Sequence, residues 1–283
     1  INTWWYAVTS IPYEVAYTHH RLPGALTLQQ PAQNLCPNTS GVSFSVLSDP
    51  NTTEYHWNYT GAGATIHHAT PGDPFITVDF GPGATSGSIQ VYGSNDFCLS
   101  PGPLSEIPVT IKPAPNAIAV PPASQFICSG SSTAINLSST VPGTVGTTSF
   151  SWTATAVNPG QVNPPVIGGS TAGLIAQPFI NLSWGPQDIN VVITPSSNGC
   201  NGSDLSYTIT VNPVAQVTDP ADQALCNGDP VAVVNFTTAN TGGTTSYTWT
   251  NSNPTVGLAA AGTGDITTFN AANSTFAPVA AIV

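Results

Sequence analysis

Apolar and polar residues alternate in short runs along the chain, and the runs end at Gly, Pro or Asn. Ile76, Val78 and Phe80 are separated by Thr77 and Asp79, and Gly81-Pro82 follows. The same arrangement returns 104 residues later, with Ile180, Leu182 and Trp184 around Asn181 and Ser183, then Gly185-Pro186. A period of two closed by a turn pair predicts a half-buried strand, here twice. Further matches follow in order: Ile89/Val91 with Ile189/Val191, then Ile107/Val109/Ile111 with Tyr207/Ile209/Val211. No ten-residue stretch keeps a helical period, so the predicted class is all-β.

Other landmarks keep the same step, and a repeat has to be found before any fold is assigned. Cys36, Cys128 and Cys226 are 92 and 98 residues apart, while Trp57, Trp152 and Trp249 are 95 and 97 apart. Each Trp follows an aromatic two positions earlier, at Tyr55, Phe150 and Tyr247. About seven short strands in a repeat of ~90–100 residues predict an immunoglobulin-like β-sandwich. Lys112-Pro113 and Asn212-Pro213 close matching strands and set the boundaries. Residues 1–22 are then the last strands of an upstream or partner domain, 23–113 and 114–213 are complete domains, and 214–283 is an incomplete third. Trp57, Trp152, Trp249, Phe80 and Trp184 are the expected core. The cysteines resolve as one disulfide per complete domain, Cys36 with Cys98 and Cys128 with Cys200. Cys226 is left for a partner outside the chain.

Leu225-Cys226-Asn227-Gly228-Asp229, Tyr247-Thr248-Trp249-Thr250-Asn251, the run Val256–Ile266 and Asn198-Gly199-Cys200 resemble the PKD-like, Ig-like repeats of large Bacteroidota surface proteins. Residues 76–98 resemble another variant of that repeat. The resemblance covers about residues 29–283 and implies export by the type IX route into long tandem adhesins, gliding-motility adhesins among them. Its motifs are structural.

Composition narrows the partners. Two Lys and Arg residues against 13 Asp and Glu leave a net charge of −11, and the two cations are Arg21 and Lys112. Such a surface cannot neutralise a phosphate backbone, which excludes nucleic acid. No apolar run approaches the ~18–20 residues that span a bilayer, so membrane insertion is not expected. Structural disulfides point to an oxidising, extracellular setting at the cell surface. The chain has no Met and no basic segment leading into an apolar one, so it is read as a processed chain or a piece of a longer one.

Chemistry is sparse. All five His stand early, and Glu54, His56, His67, His68 and Asp73 form the one acid–base or metal candidate, read as solvated loop residues. Asp219, Asp222 and Asp229 are a calcium candidate that repeat two does not share. Neither a nucleophile elbow nor a phosphate-binding Gly-Lys-Ser/Thr occurs. No catalytic residue, metal or cofactor is assigned. Asn-x-Ser/Thr triplets stand at Asn38, Asn51, Asn58, Asn136, Asn181, Asn201, Asn235 and Asn273. The expected function is a non-catalytic stalk or filament region of a secreted adhesin, with neighbouring repeats or copies of itself as end-to-end partners and a glycan or other surface ligand as a further one. Two alternatives stand beside it. In the first, Trp4, Tyr6, Val8, Tyr13, Val15 and Tyr17 form assembly strands that complete an open domain in another copy. In the second, Trp4, Trp5 and Tyr6 bind carbohydrate.

Overall fold

The computed structural model describes residues 19–68, 72–98 and 100–283. The candidate assembly strands and the Trp4, Trp5 and Tyr6 platform lie outside these residues. The chain divides into two compact units, one ending at Ala114 and one spanning Pro115–Val283. Among the described residues the regular structure is all strand apart from two 3-10 turns, Pro159–Gln161 and Pro254–Val256. No helix there is long and apolar enough to cross a membrane.

The first unit has seven strands: β1 (Gln33–Leu35), β2 (Thr39–Ser45), β3 (Glu54–Tyr59), β4 (Ala64–His67), β5 (Phe75–Phe80), β6 (Gly87–Ser94) and β7 (Ser105–Ile111). They form two sheets, ordered β1-β7-β6-β3 and β2-β5-β4. Period-two alternation supplies the faces: Ile76, Val78 and Phe80 from β5, with Phe44 of β2 beside Ile76, meet Ile89, Ile107 and Val109 from the other sheet.

The second unit repeats the plan with β8 (Ile118–Val120), β9 (Ser124–Cys128), β10 (Ile135–Ser138), β11 (Ser149–Ala156), β12 (Val162–Asn163), β13 (Val166–Thr171), β14 (Leu174–Ile175), β15 (Ile180–Asn181), β16 (Gln187–Ser197), β17 (Cys200–Asn201) and β18 (Leu205–Asn212). Its sheets are ordered β14-β10-β8 and β13-β11-β16-β18-β9. Phe150, Phe179, Ile135, Ile189, Ile193 and Ile209 fill the space between them.

In both units the first strand changes sheets. Leu28 pairs antiparallel with Val46, and after Pro31 the chain runs parallel to β7 as β1. Likewise β8 pairs antiparallel with β10, and after Pro121-Pro122 the chain runs parallel to β18 as β9. Proline has no N–H to give to a ladder, so each ladder ends there and the strand is released to the opposite sheet.

The remaining chain carries β19 (Pro230–Val231), β20 (Thr248–Thr250), β21 (Ala261–Thr263) and β22 (Phe269–Asn270). It shares details with residues 149–171. Trp249 on β20 stands opposite Gly262, as Trp152 on β11 stands opposite Gly169. Both strand pairs are joined through an Asn-Pro that opens a 3-10 turn, Asn158-Pro159 and Asn253-Pro254.

The core differs from expectation in its aromatics. Phe80 is buried, as are Phe44, Phe150 and Phe179, but Trp57 and Trp152 are half-buried at the edges of their clusters, and Trp249 is half-buried too. Trp184 is not core at all, being 55% exposed. The reason is a one-residue shift. Along β15 and the residues flanking it the inward positions are Phe179 and Asn181, which leaves Ile180, Leu182 and Trp184 facing out. A slip of one residue exchanges every side chain between faces, and an alternating pattern fits either choice. Asn181 holds the inward register, because its amide donates to the carbonyls of Gly185 and Val211, both at 2.7 Å. Its side-chain oxygen accepts from the N–H and hydroxyl of Ser183, both at 2.8 Å.

Candidate functional site

Each sandwich has a leading end, where the chain enters, and a trailing end, where it leaves. The cysteines stand at these ends. Leu35 pairs with Ile111 at the end of β7, and the Leu35 carbonyl accepts from the Lys112 N–H at 2.8 Å, which places Cys36 at the trailing end. Cys98 bridges Asn95 just past β6, at the leading end. There Asn95 donates to the Arg21 carbonyl at 3.0 Å, and Phe97 stacks on His20 at 3.7 Å between ring centroids. A side chain at Gly102 would run into Pro23.

The second unit repeats this placement. Cys128 pairs with Asn212, the last residue of β18, and is exposed at the trailing end. Cys200 follows the Asn198-Gly199 turn and pairs with Ser197 at the leading end. A side chain at Gly202 would run into the Pro115 carbonyl, as at Gly102 with Pro23.

The expected pairs, Cys36 with Cys98 and Cys128 with Cys200, therefore do not form. In the first unit the strand from Gly87 to Asn95 separates the two cysteines, about 26 Å at ~3.3 Å per residue. In the second the strand from Gln187 to Ser197 separates them by about 33 Å. A disulfide needs Cα atoms within ~7 Å. Cys98, Cys128 and Cys226 are free thiols, whereas Cys36 and Cys200 are each disulfide-bonded.

The acid–base candidates are partly gathered. Glu54, His56 and His68 line a cleft of about 660 Å³ in the first unit, together with Trp57, Gln90 and Tyr92. His56 is tied down on two sides, with Nε2 at 2.7 Å from the Ser94 hydroxyl and its ring stacked on Tyr92. Glu54 lies 3.7 Å from the same nitrogen. His67 is not part of this group, since it contacts Asp79 at 2.9 Å. Asp73 offers its backbone, its carbonyl accepting from Trp57 Nε1 at 3.0 Å. Among the described residues, no three His, Cys, Asp or Glu side chains come together in a way that could hold a metal ion. Asp229 accepts from the Cys226 N–H at 3.0 Å, a local turn contact.

Two protein-family models, each described as a PKD-like domain, match residues 22–109 and 125–215. The chain carries two PKD-like domains. Similar solved structures include the fibronectin(III)-like modules of Clostridium thermocellum CbhA, at 13% identity over 67% of this chain and 95% of that chain, TM-score 0.27. Chicken CNTN1 FN1–FN3 domains align at 11% identity over 89% of each chain, TM-score 0.31. Sidekick-1 immunoglobulin domains 1–4 align at 14% identity over 70% of this chain and 51% of that chain, TM-score 0.32. No role of any residue is carried over from these three. No curated protein matches the chain.

The PKD-like domains also sort the Asn-x-Ser/Thr triplets. Asn181 in the second domain is buried and its amide is fully engaged, so it is closed to glycosylation. Sequence reasoning missed Gly169 and Gly262, each of which lies under a Trp ring. An aromatic-x-Trp run followed by a strand containing Gly was the available signal.

Proposed function

We propose that the chain is a load-bearing region of an extracellular cell-surface adhesin, built from tandem PKD-like sandwiches and acting without catalysis. The observation that carries this reading is the repeat itself: two PKD-like domains of one strand plan follow each other in a single chain, joined by a proline-bearing link at Lys112-Pro113. Repeated modules on short links set length, and their stability is local to each module. The residue-level resemblance to Bacteroidota surface repeats supports the type IX route as its means of export. Residues 214–283 are the front of a third module, as the Trp–Gly pair and the Asn-Pro turn argue.

A second reading has one observation in its favour. Within 214–283 the described residues bury only Asn251 and Ile266, so they form little core of their own. Strands of another copy could supply it by β-augmentation.

Immunogold electron microscopy with antibodies to the second domain tests the main reading. Label spaced along fibres outside intact cells is expected, and label confined to the cell interior contradicts it. The mass of the isolated fibre protein, denatured and reduced, separates the two readings. A value near 28.9 kDa favours augmentation between copies, and a far larger one favours a covalent rod.

A further inference from the structure

We propose that the outward face of β3, β6 and β7 in the first PKD-like domain is a binding site for a neutral glycan. The site lies within one domain and stands independently of the load-bearing reading. Three observations carry it.

The first is the make-up of the face. A sugar ring has a C–H face and a rim of hydroxyls that both donate and accept. It is therefore matched by an apolar plate beside planar groups that do both. Tyr55, Ile89, Val91 and Ile107 turn inward on these strands, which leaves His56, Asn58, Gln90, Tyr92 and Glu106 outward. Tyr92 supplies the plate. Its ring is half-buried and fixed by stacking on His56 at 4.7 Å between centroids, and the exposed Leu104 lines the same cleft. Beside the plate, a hydrogen-bonded ladder crosses the three strands. Asn58 Nδ2 donates to Gln90 Oε1 at 3.3 Å, and Gln90 Nε2 donates to Glu106 Oε2 at 3.2 Å. With strands ~4.8 Å apart the ladder is about 10 Å long. It uses one of the two N–H groups of each amide, so donors and acceptors alternate along it for hydroxyls to meet.

The second is shape. β3 is the last strand of its sheet, whereas its counterpart β11 is covered by β13. The cleft of about 660 Å³ beside β3 is lined by Gln90 and Tyr92 of the face and by Trp57, whose indole is held by the Asp73 carbonyl. That volume is in the usual range for a small-molecule site.

The third is that the second domain lacks the set. Counted from the paired residues Trp57–Val91 and Trp152–Ile193, the corresponding outward positions there are Ser151, Thr153, Val192, Thr194 and Ser206. The same sandwich thus forms without the aromatic plate and the amide ladder, so the fold does not require them. Charge selects the ligand. Glu54 and Glu106 are the carboxylates at this face, and neither Arg21 nor Lys112, the two cations of the chain, lines the cleft. An anionic sugar would face carboxylates with no cation to offset them.

Native affinity electrophoresis of the full chain tests the site, in gels that each hold one soluble polysaccharide. The neutral probes are glucomannan, galactomannan and xyloglucan, and the anionic ones are alginate and polygalacturonate. Retardation by at least one neutral probe and by neither anionic one is expected. No retardation by any neutral probe overturns the proposal, as does equal or stronger retardation by an anionic one. Gln90→Ala and Tyr92→Ala should each weaken the interaction about tenfold, with folding checked by the thermal transition, while Thr153→Ala on the second domain leaves it unchanged. If Tyr92→Ala does not fold, Asn58→Ala, at an exposed position, gives the second reading. Retardation that survives both Asn58→Ala and Gln90→Ala places the glycan elsewhere, as on Trp4, Trp5 and Tyr6, and overturns the proposal.

Discussion

Tyr207 is buried in the second core, and among the described residues its hydroxyl meets no hydrogen-bond partner. Burial pushes its ionisation upward. A buried hydroxyl without a partner costs ~1–3 kcal/mol, so Tyr207→Phe should leave stability unchanged or raise it by about 1 kcal/mol, read as a higher urea midpoint at constant slope. Asp49 and Asp79 work in the other direction. The Gly24 N–H at 2.9 Å holds the Asp49 carboxyl below its ordinary value against the opposing pull of desolvation, with Asn51 and Thr52 assisting. The Gly41 N–H at 2.7 Å and then His67 do the same for Asp79. Both acids have a folded value below the unfolded one, so their stabilisation is present above about pH 4 and is lost as pH falls through the depressed values. Calorimetric melting of Asp79→Asn against pH should show a shallower loss below about pH 4 than the parent, and an unchanged slope would contradict this. At this scale the sequence was ambiguous where alternation allows two faces. Asn181 decides its strand by four hydrogen bonds, and no apolar count could show that.

Strand pairs carry the second level of the account. On β11 and β20 a Trp lies across the facing strand over a glycine, but with different clearance. A Cβ on Gly169 would sit 3.5 Å from the Trp152 ring, an ordinary contact, whereas one on Gly262 would overlap the Trp249 ring. Gly169→Ala should therefore be nearly neutral. Gly262→Ala should displace the indole and cost about 1–3 kcal/mol, the usual range for overpacking, with a change in Trp fluorescence that Gly169→Ala lacks. Strand existence, order and the two-residue period were legible from Ile76–Phe80 and Ile189–Val191, because a half-buried strand leaves a strong imprint. The half-buried position of Trp57 and Trp152 was not, since periodicity names a face without saying how far a large ring reaches into it. The parallel pairing of β9 with β18 was hidden too, although Pro121-Pro122 marks where the first strand leaves its sheet.

Over the whole chain, the regular spacing of Cys36, Cys128 and Cys226 was plain in the sequence, and the ends at which they stand were not. Two cysteines per repeat suggest an internal pair, until register fixes where each strand stops. An internal pair in each module would shelter roughly 130 residues from a pull on the chain ends, about 440–480 Å of contour. The most direct measurement is therefore single-molecule force extension of the chain held at its two ends, before and after reductant. The account predicts that reduction releases no internal loop from either sandwich, because each holds its two cysteines at opposite ends. An added length near about 440–480 Å, released as two separate increments, would contradict it.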